Sequence, residues 1–92
     1  MTHTEELIAA LHAFGDPVRL RIVKQLASSA TGEVSCGEID VPVTKSTASY
    51  HFRILVSAGV MTEREEGRRK YLTLRRDDLD QRFPGLLDAV LR

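Results

Sequence analysis

Sixteen residues, Thr44 to Gly59, leave this chain few folds to choose from. At a helical advance of about 100° per residue, Ala48, Phe52, Leu55 and Gly59 fall in one narrow sector. Ser46, Ser49, Tyr50, Arg53 and Ser57 fall on the opposite side. The apolar stripe needs a core to dock on. The other face offers hydroxyls, a phenol and a guanidinium with no acid among them, which suits phosphate oxygens and base edges. Thr44 is placed to accept from first-turn N–H groups as an N-cap, and Gly59 to close the helix in the left-handed conformation. The spacing predicts a DNA recognition helix, with Lys45 and Thr47 in its first turn beside Ser46. A surface helix rich in Ser and Thr satisfies the same periodicity until its neighbours are weighed.

Zero net charge, 13 basic against 13 acidic side chains, would argue against nucleic acid if the charges were evenly spread. They are not. Residues 1–42 carry three basic and six acidic side chains, a net of −3, and residues 77–92 carry two and four, a net of −2. Residues 43–76 carry eight and three, a net of +5, so a basic middle lies between acidic ends. Phosphates respond to that local field, within a Debye length of about 8 Å at physiological salt. The 92 residues suffice for one domain with a single core, small enough that a dimer partner is expected to help stabilise it. The N-terminus lacks the basic-then-apolar layout of a signal peptide and no apolar run is long enough to span a bilayer, so a cytoplasmic location is expected. A lone cysteine, Cys36, excludes an intrachain disulfide.

In chain order, a first helix is expected from Thr2 or Thr4 to Phe14, with Glu5 and Glu6 in its first turn and Leu7, Ile8, Leu11 and Phe14 along one face. Gly15 breaks it. Asp16-Pro17 then supplies an N-cap followed by proline at the first helical position, and a second helix runs to about Ala27. Its Val18, Val23, Leu26 and Ala27 are expected inside, and Arg19, Arg21 and Lys24 on a solvated flank. Ser28 to Gly32 reads as a loop, and Ser35-Cys36-Gly37-Glu38 as a capping box opening a short third helix to about Asp40, ended by Pro42. That helix, a tight turn and the Thr44 helix form a helix-turn-helix with a shortened first member.

After Gly59 the period alternates. Met61–Glu65 and Arg69–Leu74 read as strands joined at Glu66-Gly67, a wing whose Arg64, Arg68, Arg69 and Lys70 are placed to lie along a DNA backbone or enter the minor groove. Asp77-Asp78 is expected to cap a last helical segment that Pro84 interrupts, with a fresh helix starting at Pro84. Its Leu86, Leu87, Val90 and Leu91 exceed what one small core needs. Together with Leu7 and Leu11 they are assigned to a dimer interface, residues 1–14 and 84–92 supplying the pairing helices; core packing alone is the competing explanation.

The order of elements, mainly α with a β-hairpin wing (α-α-α-α-β-β-α), resembles the winged helix-turn-helix repressors of the ArsR/SmtB family. The resemblance covers nearly the whole chain and rests on Phe14-Gly15-Asp16-Pro17-Val18-Arg19-Leu20-Arg21-Ile22, on Ser46-Thr47-Ala48-Ser49-Tyr50-His51-Phe52 with Leu55 and Ala58-Gly59-Val60, and on the wing turn Glu66-Gly67-Arg68. It implies a homodimer that represses transcription at an inverted-repeat operator and is released by an inducer. It also implies that His51 is structural. In the frame of the family's arsenic site the chain reads Glu33-Val34-Ser35-Cys36-Gly37-Glu38-Ile39, so both ligand cysteines are replaced and Cys36 stands between them. The family's zinc site on the last helix has no histidine here. No metal and no cofactor is therefore expected.

Enzymatic readings find no phosphate-binding Gly loop, His-Glu-x-x-His pattern or nucleophile elbow. Two readings stand beside the DNA-binding one. Cys36 at a helix N-terminus would serve as a thiol sensor if its pKa were lowered, against the simpler role of a buried thiol. A winged helix used for protein contact would bury the Ser46/Tyr50/Arg53 face against a partner.

Overall fold

The computed structural model describes residues 1–92. Helix α1 (His3–Phe14) is capped by the Thr2 hydroxyl, which accepts from the Glu5 N–H, and carries Glu5 and Glu6 in its positive first turn. Its buried stripe is Ala10, Ala13 and Phe14. Ile8 and Leu11, placed from sequence on the same face as Phe14, stand 60% and 50% exposed while Phe14 is buried. The small alanines let α1 lie close to its neighbours and rotate those two larger side chains outward.

Helix α2 (Pro17–Ser28) starts as the sequence predicts: Asp16 Oδ2 accepts from the N–H groups of Val18 and Arg19, and Pro17 gives up no needed donor. Ile22, Val23 and Leu26 are fully buried, each side chain contributing about 1.5–3 kcal/mol of burial. Arg19, expected on a solvated flank, is buried instead, at 6% exposure. Its guanidinium is retained inside because hydrogen bonds meet it there, and Arg21 and Lys24 remain outside.

The next segment departs most from the sequence reading. Residues Glu33–Ser35 form a short strand, β1, and the expected third helix is a single 3₁₀ turn, Cys36–Glu38. Ser35 makes no side-chain capping bond, so the capping box does not form. What holds this stretch is α2. Gln25 and the Asp40 backbone exchange two hydrogen bonds (2.7 and 2.8 Å), and Arg21 donates to the Asp40 carbonyl and carboxylate. Side chains thereby fix the turn that delivers the chain to Thr44.

Helix α3 (Lys45–Ser57) has both predicted ends. Thr44 Oγ1 accepts from the Thr47 N–H. At the other end Val60 N–H reaches the Leu55 carbonyl and Gly59 N–H the Val56 carbonyl, with Gly59 at φ 76°: the Schellman arrangement, which an L side chain resists. Strands β2 (Met61–Glu66) and β3 (Arg69–Leu74) pair antiparallel from Met61–Leu74 to Glu66–Arg69 across Gly67-Arg68, with Gly67 at φ 62°. β1 adds to the free edge of β3, giving the order β1-β3-β2.

Helix α4 (Arg76–Arg82) carries Asp77 and Asp78 in its first turn; the cap position is Arg75, not an aspartate, and makes no capping bond. The last helix, α5 (Leu86–Leu91), begins after Gly85 at φ 86°, so Pro84 lies in the turn before it and does not open it. Leu79, Phe83 and Leu87 enter the same core as Ile22, Leu26, Leu55, Val60, Met61 and Leu72. Leu87, assigned to the dimer interface from sequence, is thus an interior residue. Arg82 locks this end down by reaching Asp78, Glu6 and the Gly59 carbonyl. The result is a winged helix-turn-helix with a third strand in the wing sheet. No helix of the chain is long and apolar enough to cross a membrane.

Candidate nucleic-acid interface

On α3, Ala48, His51 and Leu55 face the core, Phe52 is half-buried, and Ser46, Ser49, Tyr50, Arg53 and Ser57 are exposed. The side chains of Lys45, Ser46, Ser49, Tyr50 and Arg53 form no hydrogen bond or ion pair within the chain. Thr47 differs: its hydroxyl accepts from Thr44 Oγ1 and supports the cap. A run of unengaged donors on one face of a rigid helix is what groove recognition uses.

The wing comes back to that helix. A groove of about 680 Å³ between them is lined by Lys45 and Ser49 on one side and Arg68, Arg69 and Lys70 on the other. Arg68 and Arg69 have no side-chain partner within the chain, whereas Lys70 lies 3.4 Å from Glu63 and 3.8 Å from Glu65.

Arg64, grouped with the wing cations from sequence, is engaged elsewhere. Its guanidinium bonds both Glu33 carboxylate oxygens (2.8 and 3.0 Å) and Glu66 (3.0 Å), and lies 4.5 Å above the Tyr71 ring. Those bonds raise the Arg64 pKa further, and Arg64 in turn holds the Glu33 carboxyl below its ordinary range. Arg64 fastens β2 to β1 across the sheet. Sequence reading missed this because β1 is three residues long and its acidic partner is 31 positions away.

Cys36 is half-buried at the start of the 3₁₀ turn. Burial, and then the Glu63 carboxylate, push its thiol above the ordinary range, opposite to the lowering a thiol sensor requires. No three His, Cys, Asp or Glu side chains converge as a metal-binding group.

Beneath the exposed face, Arg19 Nε donates to the Ala13 carbonyl (2.8 Å), Nη2 to the His12 carbonyl (3.1 Å), and Nη1 meets His51 Nδ1 at 3.0 Å. A guanidinium has no acceptor, so Nδ1 accepts and the imidazole proton sits on Nε2. His51 is structural, and Arg19 is the residue that sequence reading put in the wrong place.

Known proteins share this arrangement. A family model described as a helix-turn-helix domain matches residues 14–64, from the end of α1 into β2. The chain is 40% identical over 80 residues to the uncharacterized HTH-type transcriptional regulator YceK of Bacillus subtilis (strain 168), covering 85% of this chain and 79% of YceK. Its fold matches the crystal structure of a possible transcriptional regulator for arsenical resistance with a TM-score of 0.69 at 31% identity, covering 86% and 80% of the two chains. It also matches that of an ArsR family transcriptional regulator, RHA00566, with a TM-score of 0.74 at 17% identity over 95% and 84%.

Proposed function

This chain belongs to the winged helix-turn-helix transcriptional regulators of the ArsR family, and from that premise we propose that it is a sequence-specific, homodimeric repressor acting at an inverted-repeat operator. The observation that carries the reading is the continuity of unengaged donors from α3 to the wing tip. Lys45, Ser46, Ser49, Tyr50 and Arg53 occupy the helix face, and Arg68 and Arg69 stand across the groove from it. Ser46 and Tyr50 sit toward the N-terminal half of α3, the part that enters the major groove in proteins of this architecture. They are the assigned base contacts; Arg53 grips a phosphate or a guanine edge, and the wing lies along the backbone.

Pairing of two copies is supported by what α1 and α5 leave uncovered. Ile8 and Leu11 are exposed, and Leu7, Leu86, Val90 and Leu91 are half-buried at the same ends of the chain. Leu87 is excluded from that seam by its burial in the core. Operation inside the cytoplasm goes with this role. Release by a small-molecule inducer is supported by a cleft of about 340 Å³ between α1 and α3, lined by Ala9, His12, Tyr50, Arg53, Ile54 and Ala58. A ligand there would occupy two of the side chains assigned to DNA.

Replacing Ser46 and Tyr50 together by alanine tests the reading. Affinity for a selected operator is expected to fall by about 1–3 kcal/mol for each base left unread, with little change on random DNA. Equal losses of affinity on both DNAs would mean that these residues only position the backbone.

A further inference from the structure

Base recognition requires a helix held at one depth and one rotation, because misplacement of about 1 Å is enough to break the hydrogen bonds that distinguish bases. Hydrophobic packing alone sets rotation loosely; a buried, directional polar contact sets it more tightly. At the centre of the core side of α3 this chain places an imidazole, His51, only 8% exposed.

Three helices meet on the side chain that His51 touches. Arg19 leaves α2, takes the carbonyls of His12 and Ala13 at the end of α1, and gives its remaining arm to His51 on α3. Asp16, the α2 cap, brings Oδ2 within 3.8 Å of the same imidazole. No buried side-chain polar atom is left without a partner. From His51 the contact continues outward, since its ring meets the exposed Tyr50 ring edge-on at 5.3 Å.

We propose that Arg19 is a positioning residue for sequence recognition: acting through His51, it fixes the rotation of α3 and so the placement of Ser46 and Tyr50 against base edges. This rests on the DNA-reading role proposed for α3. Arg19 itself lies too deep to reach DNA. Two of its three acceptors belong to the last turn of α1, so a displacement of α1 is transmitted to the recognition helix through one guanidinium.

Affinity for a selected operator and for a random duplex of the same length, measured where circular dichroism shows each variant folded, tests this. His51→Leu and Arg19→Lys are expected to lower the operator-over-random ratio about tenfold, the equivalent of one mismatched base pair, with random-DNA affinity unchanged within about twofold. His51→Asn is expected to keep most of the ratio, because its Oδ1 stands two bonds from Cβ, as Nδ1 does, and accepts the same hydrogen bond. Should His51→Leu fail to fold, Arg19→Lys against His51→Asn gives the same comparison, since lysine keeps the charge and loses the fork. Discrimination retained in Arg19→Lys, or diminished equally in His51→Asn and His51→Leu, would overturn positioning through Arg19. A wild type that shows no preference among DNA sequences would instead overturn the DNA-reading role itself.

Discussion

Asp16 shows how much one side chain can carry. Its carboxylate accepts two N–H groups at the start of α2 and faces Arg19 and His51. The Arg19 backbone N–H, and next the Arg19 charge, hold its pKa below the ordinary 3.8. A carboxyl lowered in the folded state stabilises it above the unfolded value, and that contribution is lost as pH falls through the folded value. Urea midpoints measured from pH 5 downward are therefore expected to drop more steeply in the wild type than in Asp16→Asn, which caps as well but does not titrate. Parallel curves would show that the charge at residue 16 contributes nothing. Asp16 as a cap was legible because Asp-Pro is a local signal. Arg19 was misplaced: its charge put it on the solvated flank with Arg21 and Lys24, although it stands three, four and seven residues before Ile22, Val23 and Leu26, the helical spacing of the buried stripe. Its acceptors are carbonyls from another helix and a histidine 32 residues on, and no local pattern announces them.

Among the elements, α3 and the hairpin were legible almost to the residue because caps, glycines and period are all written locally. The strand β1 was not, since three residues carry no period and pair only once β3 exists as a template. Its presence changes the wing. With Arg64 tied to Glu33 and Glu66, and Lys70 near Glu63 and Glu65, the cations left for a DNA backbone are Arg68 and Arg69. Replacing Arg68, Arg69 and Lys70 by alanine is expected to weaken operator and random DNA alike. The slope of log K against log salt should flatten by about 0.9 for each phosphate no longer neutralised, with most of the change from the two free arginines. An unchanged slope would take the wing out of the interface.

At the scale of the whole molecule, the fold converts an uneven charge sequence into an uneven surface. The basic middle of the chain is α3 and the hairpin, and they share a groove, while the acidic ends include α1, which leaves Ile8 and Leu11 exposed. Two recognition helices related by a two-fold axis would read two inverted half-sites, spaced by about one helical turn or a multiple of it. Selection of bound sequences from a random DNA pool tests base reading and pairing together. A single enriched motif is expected, made of inverted half-sites about 10 base pairs apart, centre to centre, or a multiple of that. Recovery of sequences indistinguishable from the input pool would contradict recognition by α3, and enrichment of one undivided half-site would contradict the dimer.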